Sequence, residues 1–164
     1  EHGEIFDHHV ITFTYADGSV IHSECRHFPG AANRVDETFQ GTKGKAYLSA
    51  GNHGLLTDWK GNVIYDHDRK NQPNPYQQEH DELWATLMKG EYKFADAENA
   101  AKSTMTAIMG RYATYSGKVM TWEESLNGKV DLFPDTLAWD ALPKVLPNAD
   151  GYYPHAIPGK TKVI

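Results

Sequence analysis

The first third of the sequence repeats apolar residues with the two-residue period of a β-strand, and this feature constrains the fold most. Residues 6–15 and 20–28 are rich in β-branched and aromatic side chains, and Asp17-Gly18 lies in the turn between them. An Asp-Gly pair between two such runs is a strong hairpin signal. The first strand is apolar on one face and mixed on the other, which is typical of a sheet covered by helices on one side and by a partner on the second.

Four shorter runs continue the β pattern at residues 35–40, 45–49, 55–59 and 63–65. Glycine-containing segments separate the first two and the last two, so we expect two further hairpins. Residues 66–74 are polar and predict a loop.

The apolar period then changes to that of a helix. Asn74 is a good N-cap before Pro75, and Gly90 is a stop signal at the other end. A second helix is predicted from near Asp96 to Gly117.

Three features complete the pattern. Gly110 interrupts the second helix and predicts a close approach of that helix to the sheet, since glycine there lowers helix propensity. Thr121 and Glu124 form a capping box for a short third helix. Five of the eight prolines fall in residues 129–164, which predict a long extended C-terminal tail that wraps the domain or a neighbouring subunit. We therefore expect an α+β domain over residues 1–128, an open mixed, mostly antiparallel β-sheet with helices packed on one face.

Composition excludes several functional classes. The formal net charge is −6, whereas nucleic acid and anionic membrane surfaces bind basic patches. No apolar run approaches the roughly 18 residues of a membrane span. The single cysteine, Cys25, excludes an intrachain disulfide and a cysteine-based zinc site. No signal peptide is visible at Glu1, and the compartment stays open between cytoplasm and periplasm.

The common phosphate-binding and hydrolase motifs are missing. The sequence contains no G-x-G-x-x-G, P-loop, G-x-S-x-G or H-E-x-x-H pattern. Asp7-His8-His9 and Asp66-His67-Asp68 resemble metal ligands, but adjacent histidines on a strand point to opposite faces. We therefore expect these groups to be solvated, and we expect no metal site.

Several segments taken together resemble the C-terminal domain of the glucose-fructose oxidoreductase / inositol dehydrogenase / rhizopine catabolism (Gfo/Idh/MocA) family, in a bacterial branch of dehydrogenases. The resemblance covers essentially the whole chain and is specific in order and spacing. It is carried by F-D-H-H-V-I-T-F-T-Y-A-D-G-S (6–19), C-R-H-F-P-G (25–30), G-T-K-G (41–44), N-P-Y-Q-Q-E-H-D-E-L-W-A-T-L (74–87), K-S-T-M-T-A-I-M-G-R-Y-A-T-Y-S-G-K (102–118), W-E-E-S-L-N (122–127) and Y-P-H-A-I-P-G (153–159).

This resemblance implies a two-domain enzyme. An N-terminal Rossmann domain would hold NAD or NADP, and the present chain would be the glyceraldehyde-3-phosphate dehydrogenase-like C-terminal domain. The exposed face of its sheet commonly forms the homo-oligomer interface in that family. The family's catalytic lysine belongs to an E-K-P motif and its aspartate and histidine to a G-x-H-x-x-D helix. Both are expected before Glu1, so no catalytic or cofactor-binding residue is carried over to this chain.

The resemblance thus predicts the substrate-binding and oligomerisation domain of an NAD(P)-dependent oxidoreductase that acts on a sugar or polyol. The Rossmann domain would be its partner, and the isolated chain would be inactive and without cofactor. Two alternatives stay open. One is the corresponding domain of an NAD-dependent glycoside hydrolase, and the other is a non-catalytic sugar-binding or assembly module.

Four candidate substrate-binding residues border the break between the second and third strands. Arg26 and His27 lie at the end of a strand, where binding residues are often found, and both donate hydrogen bonds that suit sugar hydroxyls. Asn33 and Arg34 lie at the start of the next strand and are candidates for the same role in substrate binding. The alternative is a structural pair at an edge or interface.

Two further candidates, Tyr76 and His80, lie on the apolar side of the first long helix. They could line a pocket that faces the nicotinamide. The competing interpretation, favoured because Leu83 and Trp84 are neighbours, makes His80 a core histidine hydrogen-bonded to backbone.

Overall fold

A computed structural model of the chain describes residues 3–51, 53–67 and 72–164. These residues divide into two compact units, one formed by the chain up to Pro29 together with Asp96–Ile164, the other by Gly30–Ala95. The elements are β1 (His8–Thr14), β2 (Val20–Arg26), β3 (Asp36–Gln40), β4 (Gly44–Ser49), β5 (Gly54–Asp58), β6 (Val63–His67), α1 (Pro75–Met88), α2 (Ala97–Ser116) and α3 (Trp122–Leu126).

In the first unit β1 and β2 form the predicted antiparallel hairpin, in which His8 pairs with Arg26 and Thr14 with Val20. The turn closes because the Asp17 carboxylate accepts hydrogen bonds from the backbone N–H and the hydroxyl of Ser19, at 2.9 and 2.7 Å. Gly18 adopts φ 84°, which a side chain would oppose. The hairpin prediction is confirmed.

Helix α2 packs on β1 through its one interior glycine. A Cβ at Gly110 would lie 2.8 Å from Ile11 Cδ1 and 3.0 Å from Phe13 Cζ. Along β1 the residues alternate between exposed and half-buried, and His9, Ile11 and Phe13 are the half-buried ones. The predicted close approach of helix and sheet is therefore confirmed.

The capping box predicted at Thr121 and Glu124 is present at the start of α3. Residues 129–164 contain neither helix nor strand, and their end is fastened to the helices. The Gly159 N–H donates to Ser116 O at 2.6 Å, and Val163 is buried. Tyr115 and Val163 are the buried hydrophobic side chains of the described residues, so the core of this unit is small.

In the second unit β3, β4, β5 and β6 form an antiparallel sheet in that order. The pairing shifts between Leu56 and Thr57, where Leu56 pairs with Tyr65 and Thr57 with Val63. Gly44 is required at the start of β4, since a Cβ there would collide with the carbonyl oxygen of Thr57.

β6 reaches His67, so the prediction of a loop from residue 66 is wrong. Residues 66 and 67 pair with Leu55 and Gly54 and thereby lengthen the hairpin; residues 68–71 of the predicted loop lie outside the described part.

Helix α1 begins as predicted, because the Asn74 side chain accepts a hydrogen bond from the Tyr76 N–H at 2.9 Å. Among the described residues no strand or other helix packs along it. Leu83 and Trp84 are consequently 45% and 66% exposed. The expectation of helices packed on one sheet face holds for α2 on β1 and not for α1.

The chain is thus α+β, as predicted. The described strands form two antiparallel sheets, where one mixed sheet was expected, and no parallel pair occurs among them. Within the described residues, no helix combines the length and the apolar character needed to cross a bilayer.

Candidate functional site

The four-stranded sheet of the second unit carries an open groove of about 730 Å³ on one side. Strand register places two rows of side chains there, because directly paired residues of an antiparallel sheet share a face. One row is Phe39, Ala46, Leu56 and Tyr65, and the other is Glu37, Leu48, Gly54 and His67. The groove surface is mainly apolar, and its full lining is Glu37, Ala46, Leu48, Ser49, His53, Gly54, Leu55, Leu56, Tyr65, His67, Gln72, Pro73, Pro75 and Gln78.

Tyr65, His67 and His53 bring polar groups to the lining of this groove. A hydrogen bond of 3.0 Å joins Tyr65 Oη and His67 Nδ1, and another of 3.0 Å joins His53 Nε2 to Asp66 Oδ1. Gly54 leaves room for the Leu48 side chain, because a Cβ there would lie 3.3 Å from Leu48 Cδ2. The phenol and the two imidazoles can donate or accept hydrogen bonds beside the apolar side chains of the groove.

A second, more polar depression of about 540 Å³ lies at the start of α1. Its lining is Ala50, Gly51, Gln72, Pro73, Asn74, Pro75 and Tyr76. The Asn74 side-chain oxygen is occupied by the helix cap, so its amide NH₂ is the group it offers to a ligand. Tyr76 is 76% exposed and contributes a ring and a hydroxyl. This depression thus offers an amide NH₂ that donates hydrogen bonds and a hydroxyl that donates or accepts them.

The predicted substrate residues do not form one cluster within either unit. Arg26 and His27 belong to the first unit, and Asn33, Tyr76 and His80 belong to the second. Tyr76 lines the polar depression, and His80 follows it one turn later on α1. Asn33 is exposed and lines neither depression.

The interpretation of His80 as a core histidine is wrong. His80 is exposed, because no strand or other helix of the described residues covers the apolar side of α1. Tyr76 lines the polar depression, and the pocket interpretation of both residues stays a prediction.

The remaining candidates have structural partners. Arg34 binds Asp36 through two hydrogen bonds of 2.6 and 2.9 Å, and the hydrogen bond from Arg34 lowers the pKa of Asp36. This pair favours the structural interpretation of Arg34. The His27 backbone N–H donates to Asp7 O at 2.7 Å, and the guanidinium carbon of Arg26 lies 5.8 Å from the centre of the Phe28 ring.

The sequence did not single out Tyr65, His67 and His53 as one surface. The sequence does place Tyr65 and His67 on one face if the strand extends beyond residue 65, because alternate residues of a strand share a face. A polar stretch after the strand concealed that extension. His53 comes to the groove through the register of β4 and β5, which the sequence does not reveal.

The two histidines of β1 point to opposite faces, as expected. His8 Nδ1 lies 2.7 Å from Asp7 Oδ1, whereas His9 Nδ1 lies 2.8 Å from Thr114 Oγ1 on α2. No cluster of three metal-ligating side chains occurs within residues 3–51, 53–67 and 72–164. Asp68, the last member of the second candidate group, lies outside the described residues.

No protein-family model, curated protein or solved structure matches the chain. The described strands pair only in antiparallel fashion, whereas a dinucleotide-binding unit needs parallel strands joined by a helix. The described strands therefore lack the parallel β-α-β arrangement of a Rossmann dinucleotide-binding unit.

Proposed function

We propose that the chain is the substrate-binding and oligomerisation domain of an NAD(P)-dependent oxidoreductase that acts on a sugar or polyol. The proposal is supported by the order and spacing of the family-like segments. The structural observation that supports it best is the antiparallel sheet of the second unit, one apolar face of which is exposed among the described residues. The glyceraldehyde-3-phosphate dehydrogenase-like architecture is part of the same proposal.

The uncovered face suits a subunit contact. Phe39, Leu48, Leu56 and Tyr65 share it, and they are 56%, 44%, 37% and 57% exposed. Contiguous apolar surface of this kind on a protein generally marks an interaction site, since each Å² removed from water contributes about 25 cal/mol. A homo-oligomer is the partner that the resemblance implies for this face.

The polar depression at the start of α1 is the proposed substrate wall. The Tyr76 hydroxyl and the Asn74 amide would bind substrate hydroxyls, and the Tyr76 ring would cover a sugar face. Arg26, His27, Asn33 and His80 line neither depression, and their role as substrate contacts stays a prediction.

A bound NAD or NADP, held by a Rossmann domain outside this chain, would accept or donate the hydride. The residues of this chain would orient the hydroxyl-bearing carbon and exclude water from it. No residue here is assigned to proton transfer, and the isolated chain is expected to show no turnover.

The first test is the coding sequence immediately upstream of Glu1. The proposal expects a strand, a glycine-rich turn and a helix, followed by E-K-P and G-x-H-x-x-D. A start codon or unrelated sequence at that point would refute the oxidoreductase assignment and leave a sugar-binding or assembly module as the function to test by calorimetry.

The second test uses the complete protein with a panel of sugars and cyclitols, following reduction of NAD⁺ and NADP⁺ by absorbance. Tyr76→Phe removes only the hydroxyl, and we expect it to raise KM for the substrate roughly tenfold, the effect of one lost hydrogen bond. Tyr92→Phe is the matched control, because Tyr92 is 96% exposed and lines neither depression. Equal KM values for the two variants would show that Tyr76 does not bind the substrate. A separate assay with aryl glycosides tests the alternative, since release of the aryl group by the complete protein would identify a glycoside hydrolase.

A further inference from the structure

Residues 129–163 form a long loop whose two ends meet. A Cβ at Gly128 would lie 2.9 Å from Ile164 Cγ2, so the last residue of the chain packs on the residue that precedes the loop. Val163 is buried, and the Gly159 N–H is bonded to Ser116 O at 2.6 Å. The base of the loop is therefore held on the ends of α2 and α3.

The loop is also organised internally by its polar side chains. Lys144 Nζ lies 2.7 Å from Asp131 Oδ2 and 3.4 Å from Asp135 Oδ1. The Asp131 carboxylate accepts a further hydrogen bond from the Phe133 N–H at 3.0 Å. Lys144 therefore joins two acidic residues of the same loop and draws residues 131–144 together.

The large apolar side chains of this loop are exposed. We call residues 132–146 the apolar arm; its exposed apolar residues are Leu132 (60%), Phe133 (70%), Leu137 (82%), Trp139 (108%), Leu142 (70%) and Leu146 (51%). Six such side chains present roughly 700 Å² in total. Large apolar side chains exposed together on one loop are typical of a surface that binds a partner.

The size of the arm fits a contact between subunits. Specific interfaces bury about 800 Å² per partner, and obligate homodimers bury 2,000–5,000 Å² in total, by the usual size classes. The arm's roughly 700 Å² is close to the surface that one partner contributes to a specific interface, and two arms related by a two-fold axis contribute roughly 1,400 Å² of arm surface.

The chain also carries a receiving surface for such an arm. The groove over β3–β6 is open, mainly apolar and about 730 Å³ in volume. We propose that the apolar arm of one copy binds in the groove of a second copy, and that the exchange is reciprocal. This inference rests on the oligomerisation part of the proposed function, and it adds the segment that occupies the sheet face.

The proposal is tested on the full chain by sedimentation at several concentrations. We expect the native chain to be a dimer and the double variant Leu137→Lys/Trp139→Lys to be a monomer, with its circular dichroism unchanged because both side chains are exposed. The double variant Tyr92→Lys/Val119→Lys is the control, since it places the same two charges on exposed residues outside the arm and groove, and it should remain a dimer. A native chain that is monomeric at every concentration overturns the proposal.

A cross-link identifies the contact directly. Cys25 is the only cysteine, so it is replaced by serine in two chains that carry Trp139→Cys or Leu48→Cys. On oxidation of an equimolar mixture we expect a disulfide that joins the two different chains in preference to either like pair. A dimer without that mixed product overturns the arm-in-groove contact.

If Leu56→Lys dissociates the dimer and the arm variant does not, the sheet face remains the subunit interface and only the role of the arm is refuted.

Discussion

Gly110 on α2 and Ile11 on β1 lie so close that a single added carbon would bring them into collision. A Cβ at Gly110 would be 2.8 Å from Ile11 Cδ1, shorter than any ordinary contact between carbon atoms. The absence of a side chain at this one helix position is what lets α2 lie directly on the hairpin strand. Glycine in a helix costs about 1 kcal/mol relative to alanine, so packing here outweighs helix propensity.

Gly110→Ala is therefore expected to destabilise the chain by about 1 kcal/mol, because overpacking costs of 1–3 kcal/mol exceed the gain in helix propensity. The measurement is the free energy of unfolding in denaturant. Ile11→Val removes the Cδ1 atom that collides, so Gly110→Ala should cost less, or even stabilise, in that background. A double-mutant cycle without coupling between the two positions would contradict the packing argument.

The local elements could be predicted from sequence because their signals are local. Asp17 and Gly18 determine the first turn, Asn74 caps α1, and Gly110 indicated the approach of α2 to the hairpin. The number of sheets could not be predicted, since it depends on which strands pair over long distances in the chain.

The candidate site was predictable only in part, for the same reason. Tyr76 was predicted to line a pocket from its place on the apolar side of the first long helix, and it lines the polar depression. Tyr65 and His67 were missed because a polar sequence follows residue 65, and His53 was missed because strand register brings it to the groove. The exposure of α1 also could not be predicted. An apolar helix side predicts that the helix packs on another surface, but it does not identify that surface.

The end of α2 should be sensitive to a side chain at Gly117. This residue has φ 67° and lies against the tail, where a Cβ would be 2.9 Å from Pro158 Cβ. Gly117→Ala should cost the 1–2 kcal/mol of a left-handed alanine and, in addition, loosen the tail. We expect faster tryptic cleavage after Lys160 in this variant.

Gly151→Ala is the control for that experiment. Gly151 has φ 83°, and nothing lies within 4 Å of a Cβ there. It should show the backbone penalty alone, with native cleavage after Lys160. Equal cleavage rates in the two variants would show that the contact of Gly117 with Pro158 does not hold the tail.

The capping box of α3 predicts a pH dependence. Hydrogen bonds from the hydroxyl and backbone of Thr121 lower the pKa of Glu124 below its ordinary value of 4.5. Stability from this interaction is therefore present above pH 4.5 and is lost as the pH falls through the lowered pKa of the folded state. Thr121→Ala should lose about 1 kcal/mol of cap stability at neutral pH and show a weaker loss of stability in acid. Thr121→Ser, which keeps the hydroxyl, should restore both; an unchanged acid profile in Thr121→Ala would refute the assignment.

Thr57 on β5 offers a substitution that should stabilise the second unit. Its side chain is buried, and its hydroxyl oxygen has no hydrogen-bond partner among the described residues. An unpaired buried hydroxyl costs about 1–3 kcal/mol of desolvation free energy. Valine has the same branched shape without the hydroxyl, so Thr57→Val should raise the free energy of unfolding by about 1 kcal/mol.

The matched control is Thr38→Val, because Thr38 lies in the same sheet with its side chain exposed to water. Its hydroxyl is solvated in both the folded and the unfolded chain, so this substitution should change stability by no more than about 0.5 kcal/mol. Both variants are compared by denaturant midpoint at equal slope. If Thr57→Val destabilises the chain while Thr38→Val does not, the prediction is wrong. That result would mean that the Thr57 hydroxyl makes a hydrogen bond in the folded chain and that this bond contributes to stability.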